Sequence, residues 1–310
     1  MTNNLDIQIL SKLEQMGYIK NSDLSKLLLV NERTVRRHIS EMIEGKLIKI
    51  TAVCNPVLCG YKVWAKIGLK VELRFLRNVA HALAGNPSIY FVAYTLGSFD
   101  FIIGLQLENI DSLTDFIQTD LASMPGIQNS ETMILTNPRK YYHFSWGNKG
   151  NYPASTATIH VDELDRNIVK ILSEDALVSS EEIKSRIGGS VSTIHRRITR
   201  MLKEEVIKIE VVPNPDLLKR HAWATIGINV AQQNVNSVID KILDNSMVYL
   251  VSMATGRFNI IVAARFPDID DLTTFSNKEL LAIKGVNSVE SLLHNKVLKY
   301  HNVNWMSPLL

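Results

Sequence analysis

Shifted by 159 residues, the chain lies on itself: Leu5–Trp146 aligns with Leu164–Trp305 without a gap, and 38 of the 142 pairs are identical. TVRRHISEM meets TIHRRITRM, LIKITAVCNP meets VIKIEVVPNP, VWAKIGLKV meets AWATIGINV, and GSFDF meets GRFNI. A period this long is no solenoid repeat and reads as one whole module written twice. Between the copies, GNKGNYPASTATIHVDE (147–163) is rich in Gly, Pro, Ser, Thr and Asn and reads as a linker.

Each copy divides again. Leu5, Ile9 and Leu13, and likewise Leu164, Ile168 and Leu172, recur at helical spacing. A second helix is announced by Asn21 or Ser22, and in the other copy by Ser179 with Glu182 three residues on, a capping-box pattern. After the turns LVNE and GGSV a third helix begins near Glu32 or Val191, and the alternation of IKITAV and IKIEVV then predicts a β wing closed by Asn-Pro at 55–56 and 214–215. The remainder of copy one reads as a strand (63–71), a helix (74–84), two strands around GSFD, a helix near 111–123 and a last strand near 127–135. That order, βαββαβ, is a ferredoxin-like sandwich. The expected fold is α+β: two tandem copies of a winged helix-turn-helix followed by a ferredoxin-like domain, bounded at 1–60, 61–146, 164–219 and 220–310 around the linker.

On a helix turning about 100° per residue, Arg33, Arg36, Arg37 and Ser40 share one side, while Val35, Ile39 and Met42 share the other. In copy two Ser192, His195, Arg196 and Thr199 point outward, with Ile194, Ile198 and Met201 inward. Residues 20–50 hold seven Lys/Arg against four Asp/Glu, and residues 179–209 hold the same numbers, so each segment nets +3 and the rest of this +3 chain carries −3. A third helix in this order enters the major groove of double-stranded DNA. Lys and Arg contacts to phosphates then supply salt-dependent affinity, and Arg33, Arg36, Arg37, Ser192, His195 and Arg196 are best placed for base edges.

Other classes are disfavoured by composition. With 46% hydrophobic and 21% charged residues, no apolar run of membrane-spanning length and no leader pattern at MTNNLDIQIL, the chain is expected in the cytoplasm, away from membranes. Cys54 and Cys59 lack the second half of a zinc site and read as free thiols. The eight histidines are scattered, H-E-x-x-H and phosphate-cradling glycine loops are missing, and Asp270 and Asp271 sit where a helix start favours acids. No catalytic residues, metal or cofactor are expected.

Leu-Asp at 5–6 and 164–165, the third helices, IKI followed by Asn-Pro, and GSFDF or GRFNI together make each copy resemble a full Lrp/AsnC-type (feast/famine) transcriptional regulator. The resemblance covers nearly the whole chain outside the linker. It implies a DNA-binding unit, a sensing domain for a small amino acid-like effector, and self-association through the ferredoxin-like domains, as an intrachain pseudo-dimer or a homodimer. Effector contact at Gly97, Ser98, Phe99 and Asp100, and at Gly256, Arg257, Phe258 and Asn259, rests on the resemblance alone. From the residues themselves, Gly97 and Gly256 suit a hairpin needing positive φ, and Phe99 and Phe258 suit a core. Trp64 and Trp223 read as core or interface aromatics. The family's mid-helix arginine is Arg197 in copy two but His38 in copy one, and Asp100 of the sensing turn becomes Asn259. Siroheme decarboxylases are also built from paired Lrp-like modules and give the alternative reading. The arginine-rich strand and His-Asn-Tyr stretch expected of them correspond here to IKITAVCNP with IYFVAYTL, and IKIEVVPNP with VYLVSMAT, which hold neither His nor Arg. A third reading, a sensing or oligomerisation protein that no longer binds DNA, finds no obvious defect at 29–31 or 188–190 to favour it.

Overall fold

A computed structural model describes residues 4–16, 18–55, 58–141, 144–145, 161–215, 222–301 and 303–306; Pro56, Trp146 and residues 147–160 of the expected linker lie outside them. The first copy folds as α1 (Asn4–Met16), α2 (Asn21–Leu28), α3 (Glu32–Glu44), β1 (Ile48–Cys54), β2 (Val63–Val71), α4 (Leu76–Gly85), β3 (Ile89–Leu96), β4 (Phe101–Leu107), α5 (Ile110–Asp115), β5 (Ile127–Tyr141) and β6 (Phe144–Ser145). The second repeats that order as α6 (Glu163–Glu174), α7 (Ser180–Ile187), α8 (Val191–Lys203), β7 (Ile207–Pro213), β8 (Ala222–Val230), α9 (Val235–Leu243), β9 (Val248–Thr255), β10 (Ile260–Phe266), α10 (Ile269–Thr274), β11 (Val286–Tyr300) and β12 (Val303–Asn304). Chain contacts divide these elements into two units, Met1–Gly60 with Ile159–Leu217, and Tyr61–Thr158 with Leu218–Leu310.

In the first unit the apolar faces of α1, α2 and α3 bury Ile9, Leu13, Leu24, Val35, Ile39 and Met42 in one core, and those of α6, α7 and α8 bury Ile168, Leu172, Ile183, Ile194 and Met201 in another. α6 starts with a full capping box between Asp162 and Asp165, so the last residues of the stretch read as linker are ordered helix start. Ser179 caps α7 through the Glu182 amide, whereas the Glu182 carboxylate goes to Arg186 instead of closing the expected box. The predicted wings differ more. Among the described residues each is a single strand without a hairpin partner from its own copy: β1 pairs antiparallel with β7, from Ile48↔Pro213 to Cys54↔Ile207. Thr51 stands opposite Glu210, its own equivalent in the repeat, so a pseudo-twofold axis passes between them. A two-stranded ribbon is marginal alone. This one is secured because Ile48, Ile50 and Val211 enter the first core, while Ala52 and Ile207 enter the second.

In the second unit each copy forms a four-stranded antiparallel sheet, ordered β3-β4-β2-β5 and β9-β10-β8-β11. β5 also pairs with β9, and β11 with β3, which closes the eight strands into a ring. Closure leaves no free edge among these strands. α4 and α5 cover the outer face of one half, over Ile67, Leu69, Phe101 and Ile103; α9 and α10 cover the other, over Ile226, Ile228, Ile260 and Val262. α5 and α10 each run on through a π-helical turn, Phe116–Leu121 and Phe275–Leu280. β5 extends past the expected end near 135 to Tyr141, and this extension makes the crossing. It brings the Lys140 ammonium 3.1 Å from the Leu243 and Asn245 carbonyls, where α9 ends with unsatisfied acceptors. Its counterpart Lys299 donates to the Asn86 carbonyl beyond α4 at 2.7 Å.

Candidate nucleic-acid interface and sensing turns

α3 begins at Asn31, whose side chain accepts from the Arg33 amide, and α8 begins at Ser190, whose side chain accepts from the Thr193 amide. With Val35, Ile39 and Met42 buried below, Arg33, Arg36, Arg37 and Ser40 are all exposed. Ser192, His195, Arg196 and Thr199 are exposed on α8, above buried Ile194 and Met201 and half-buried Ile198. Arg36 pairs with Glu32 at 3.1 Å and Arg37 with Glu41 at 3.2 Å, both on the open surface. Such i,i+4 pairs hold only about 0.3–0.5 kcal/mol and yield readily to a phosphate. Arg33 and Arg196 have no carboxylate partner among the described residues. Thr199 spends its hydroxyl on the His195 carbonyl at 2.9 Å, and the Ser192 hydroxyl lies 2.9 Å from that of Ser190.

The position occupied by His38 and Arg197 faces elsewhere. His38 Nδ1 lies 2.7 Å from Asp6, and Arg197 lies 2.7 Å from Asp162 and 3.2 Å from Asp165. Asp165 is fully buried and also receives Arg200 at 2.5 Å. These contacts tie each third helix to the Leu-Asp pair at the start of its first helix. They explain why aspartate recurs at 6 and 165, a coupling the sequence signalled only as identity between copies. The Asp162 carboxyl is held below the usual range, first by the Asp165 amide and then by Arg197.

The two sensing turns are built alike. Gly97 and Gly256 take φ of +133° and +105°. Phe99 and Phe258 are buried against Gly68 and Gly227, where an added Cβ would stand about 2.5 Å from each ring. Asp100 Oδ2 accepts from the Val71 amide at 2.8 Å, with Lys70 at 3.1 Å; Asn259 Oδ1 accepts from the equivalent Val230 amide at 2.7 Å. The acidic-to-amide change therefore keeps the acceptor that secures the turn. The middle residues reach across the copies: Ser98 donates to Glu290 at 2.5 Å, and Arg257 pairs with Glu290 at 2.7 Å and Glu131 at 3.4 Å. The two turns thus share Glu290, and Arg257 also reaches its equivalent Glu131, a pair that sequence reading did not single out. Trp64 and Trp223 lie on the inner face of the ring against Tyr141 and Tyr300, each at 5.1 Å.

Among the described residues no group of three His, Cys, Asp or Glu is placed to hold a metal ion, and no helix is long and apolar enough to cross a membrane. Cys54 and Cys59 form no disulfide, and the Cys59 thiol is pushed up by its contact with Cys54 and by burial.

The family model for the Lrp/AsnC ligand binding domain matches residues 65–143 and again 224–303, and that for the AsnC-type helix-turn-helix domain matches 161–202. The chain belongs to the Lrp/AsnC family of transcriptional regulators. An uncharacterised HTH-type transcriptional regulator of Pyrococcus abyssi is 31% identical over 138 residues, 44% of this chain and 87% of that protein. Another, from Pyrococcus furiosus, is 31% identical over 142 residues, 46% of this chain and 96% of its own. The crystal structure of the siroheme decarboxylase NirDL covers 98% of this chain and 95% of its own, with a TM-score of 0.61 at 16% identity, a likeness of fold.

Proposed function

We propose that the chain is a tandem duplication carrying the family's dimer within itself, divided as 1–60, 61–146, 164–219 and 220–310, and that α3 and α8 read two half-sites of one operator in the cytoplasm. The observation that carries this reading is the repeated pairing of an exposed basic face with a docked apolar one, on two helix-turn-helix units joined by the β1–β7 ribbon. Arg33, Arg36 and Arg37 of α3, with Ser192, His195 and Arg196 of α8, meet base edges; Ser40 and Thr199 border them. Half-sites are about 34 Å apart on one DNA face. A small amino acid-like effector acts where Gly97–Asp100 and Gly256–Asn259 meet Glu131 and Glu290, and shifts the equilibrium only as far as it binds one arrangement better. Since Ser98 and Arg257 differ, the shared site is asymmetric, with one guanidinium between two carboxylates. The chain needs no cofactor and catalyses no reaction.

Fluorescence anisotropy with DNA from upstream of the protein's own gene, against a scrambled fragment over a salt series, tests this. Preferential, salt-dependent binding that Arg36→Ala/Arg37→Ala and Arg196→Ala weaken is expected; equal affinity for both fragments contradicts it. A second reading, a siroheme decarboxylase-like enzyme, is favoured by the whole-chain fold likeness to NirDL. A shifted visible spectrum on mixing with siroheme would support that reading, and an unchanged one removes it.

A further inference from the structure

Alternation along β2 sends Ala65, Ile67 and Leu69 outward beneath the helices and turns Trp64, Lys66 and Gly68 toward the inside of the ring. Lys66 is only 3% exposed there. Among the described residues no acceptor or carboxylate pairs with its ammonium, which lies 4.1 Å from the centre of the Phe91 ring and 5.3 Å from that of Tyr90. The imidazole of His294, from the other copy, lies 5.1 Å from the same Phe91 ring, centre to centre. Its Nε2 lies 3.0 Å from the Thr225 hydroxyl, and its Nδ1 is buried without a partner. The Trp223 indole N–H, on the same inner face, is likewise buried and unpartnered.

These groups donate more hydrogen bonds than they accept. The carboxylates on the inner face, Glu131 and Glu290, are already taken by Arg257 and Ser98. Burial holds Lys66 down at about 7, and His294 is kept well below its ordinary range by burial and by the Lys66 charge. An unpaired cation in such surroundings is costly, and a bound anion offsets that cost. The arrangement is not repeated by the pseudo-symmetry: Thr225 stands at the position of Lys66, and Leu135 at that of His294.

We propose that the interior of the ring is a binding site for one small monocarboxylate per chain, held by the Lys66 ammonium and the His294 Nδ1–H. With Nδ1 carrying the proton, Nε2 accepts from the Thr225 hydroxyl, so both histidine nitrogens are used. This site uses none of the residues of the two glycine turns, and it stands whether or not the chain binds DNA.

The test is calorimetric titration of the full chain with sodium acetate at pH 8, in two buffers of different ionisation heat. One acetate per chain should bind with uptake of close to one proton, because the anion holds Lys66 protonated, and affinity should fall about tenfold per pH unit above pH 7. Lys66→Met should weaken binding at least tenfold. In the wild-type chain, the 13Cε signal of Lys66 followed over pH should titrate at higher pH with acetate than without. Absent binding, binding without proton uptake, full affinity in Lys66→Met, or an unmoved Lys66 titration would each overturn the proposal. Chloride that competes with acetate and binds more tightly would overturn the choice of a carboxylate.

Discussion

The two helix-turn-helix copies bury the same apolar positions yet fasten their third helices differently. In copy one His38 meets Asp6 at 2.7 Å, joining α3 to α1 beside their shared apolar core. In copy two a fully buried Asp165 is gripped by Arg197 and Arg200 and belongs also to the capping box of α6. The difference teaches that this position serves assembly of the helix frame, so under the proposed function any base-reading difference between the copies rests on the exposed residues: three arginines on α3, and Arg196 with His195 on α8.

The largest test of that contrast is removal of the aspartates. Asp165→Ala leaves two guanidinium groups without their buried partner and should cost about 3–5 kcal/mol of stability by chemical denaturation. Asp6→Ala, which removes the partner of His38, should cost about 1–3 kcal/mol; equal costs would end the distinction. Lys66 against Thr225 gives the next test. Its folded-state value of about 7 lies below that of an unfolded lysine, so the unfolded chain binds more protons from pH 7 upward and stability rises with pH there. Between pH 7 and pH 10 the wild type should gain about 3 kcal/mol relative to Lys66→Met, with no difference in slope below pH 6. Smaller still is Leu29, exposed at φ +55° where copy two has Gly188. Leu29→Gly should raise the thermal midpoint, by about 1 kcal/mol of relieved strain. Asp100→Asn copies Asn259 and keeps the acceptor for the Val71 amide, so denaturation should change by less than about 0.5 kcal/mol, whereas Asp100→Ala should cost about 1 kcal/mol.

Local periodicity carried much of this fold into view. The spacing of Val35, Ile39 and Met42 foretold the buried side of α3, and Gly97 foretold a positive-φ turn, because both depend on near neighbours. Contacts between copies left fainter marks. A lone alternating segment such as IKITAV looks the same whether its partner is the next strand or one 159 residues on, so the sequence alone predicts two wings where the structure has one β1–β7 ribbon. Pro138 and Asn137, the latter at φ +50°, interrupt β5 and suggest a strand end, yet the chain bulges there and continues across to β9. Lys66 was hidden because an alternating strand ordinarily has a wet face, and only closure of the ring buries it. Identity between copies at Asp6/Asp165, Glu131/Glu290 and Lys140/Lys299 was the available signal for such cross-links.

The proposed function needs two DNA-reading helices in one chain, and hydroxyl-radical footprinting on the upstream DNA tests that most directly. Two protected patches about one helical turn apart on one face are expected. Arg36→Ala/Arg37→Ala should erase one patch and Arg196→Ala should thin the other. A single patch, or two that survive both variants unchanged, would contradict it.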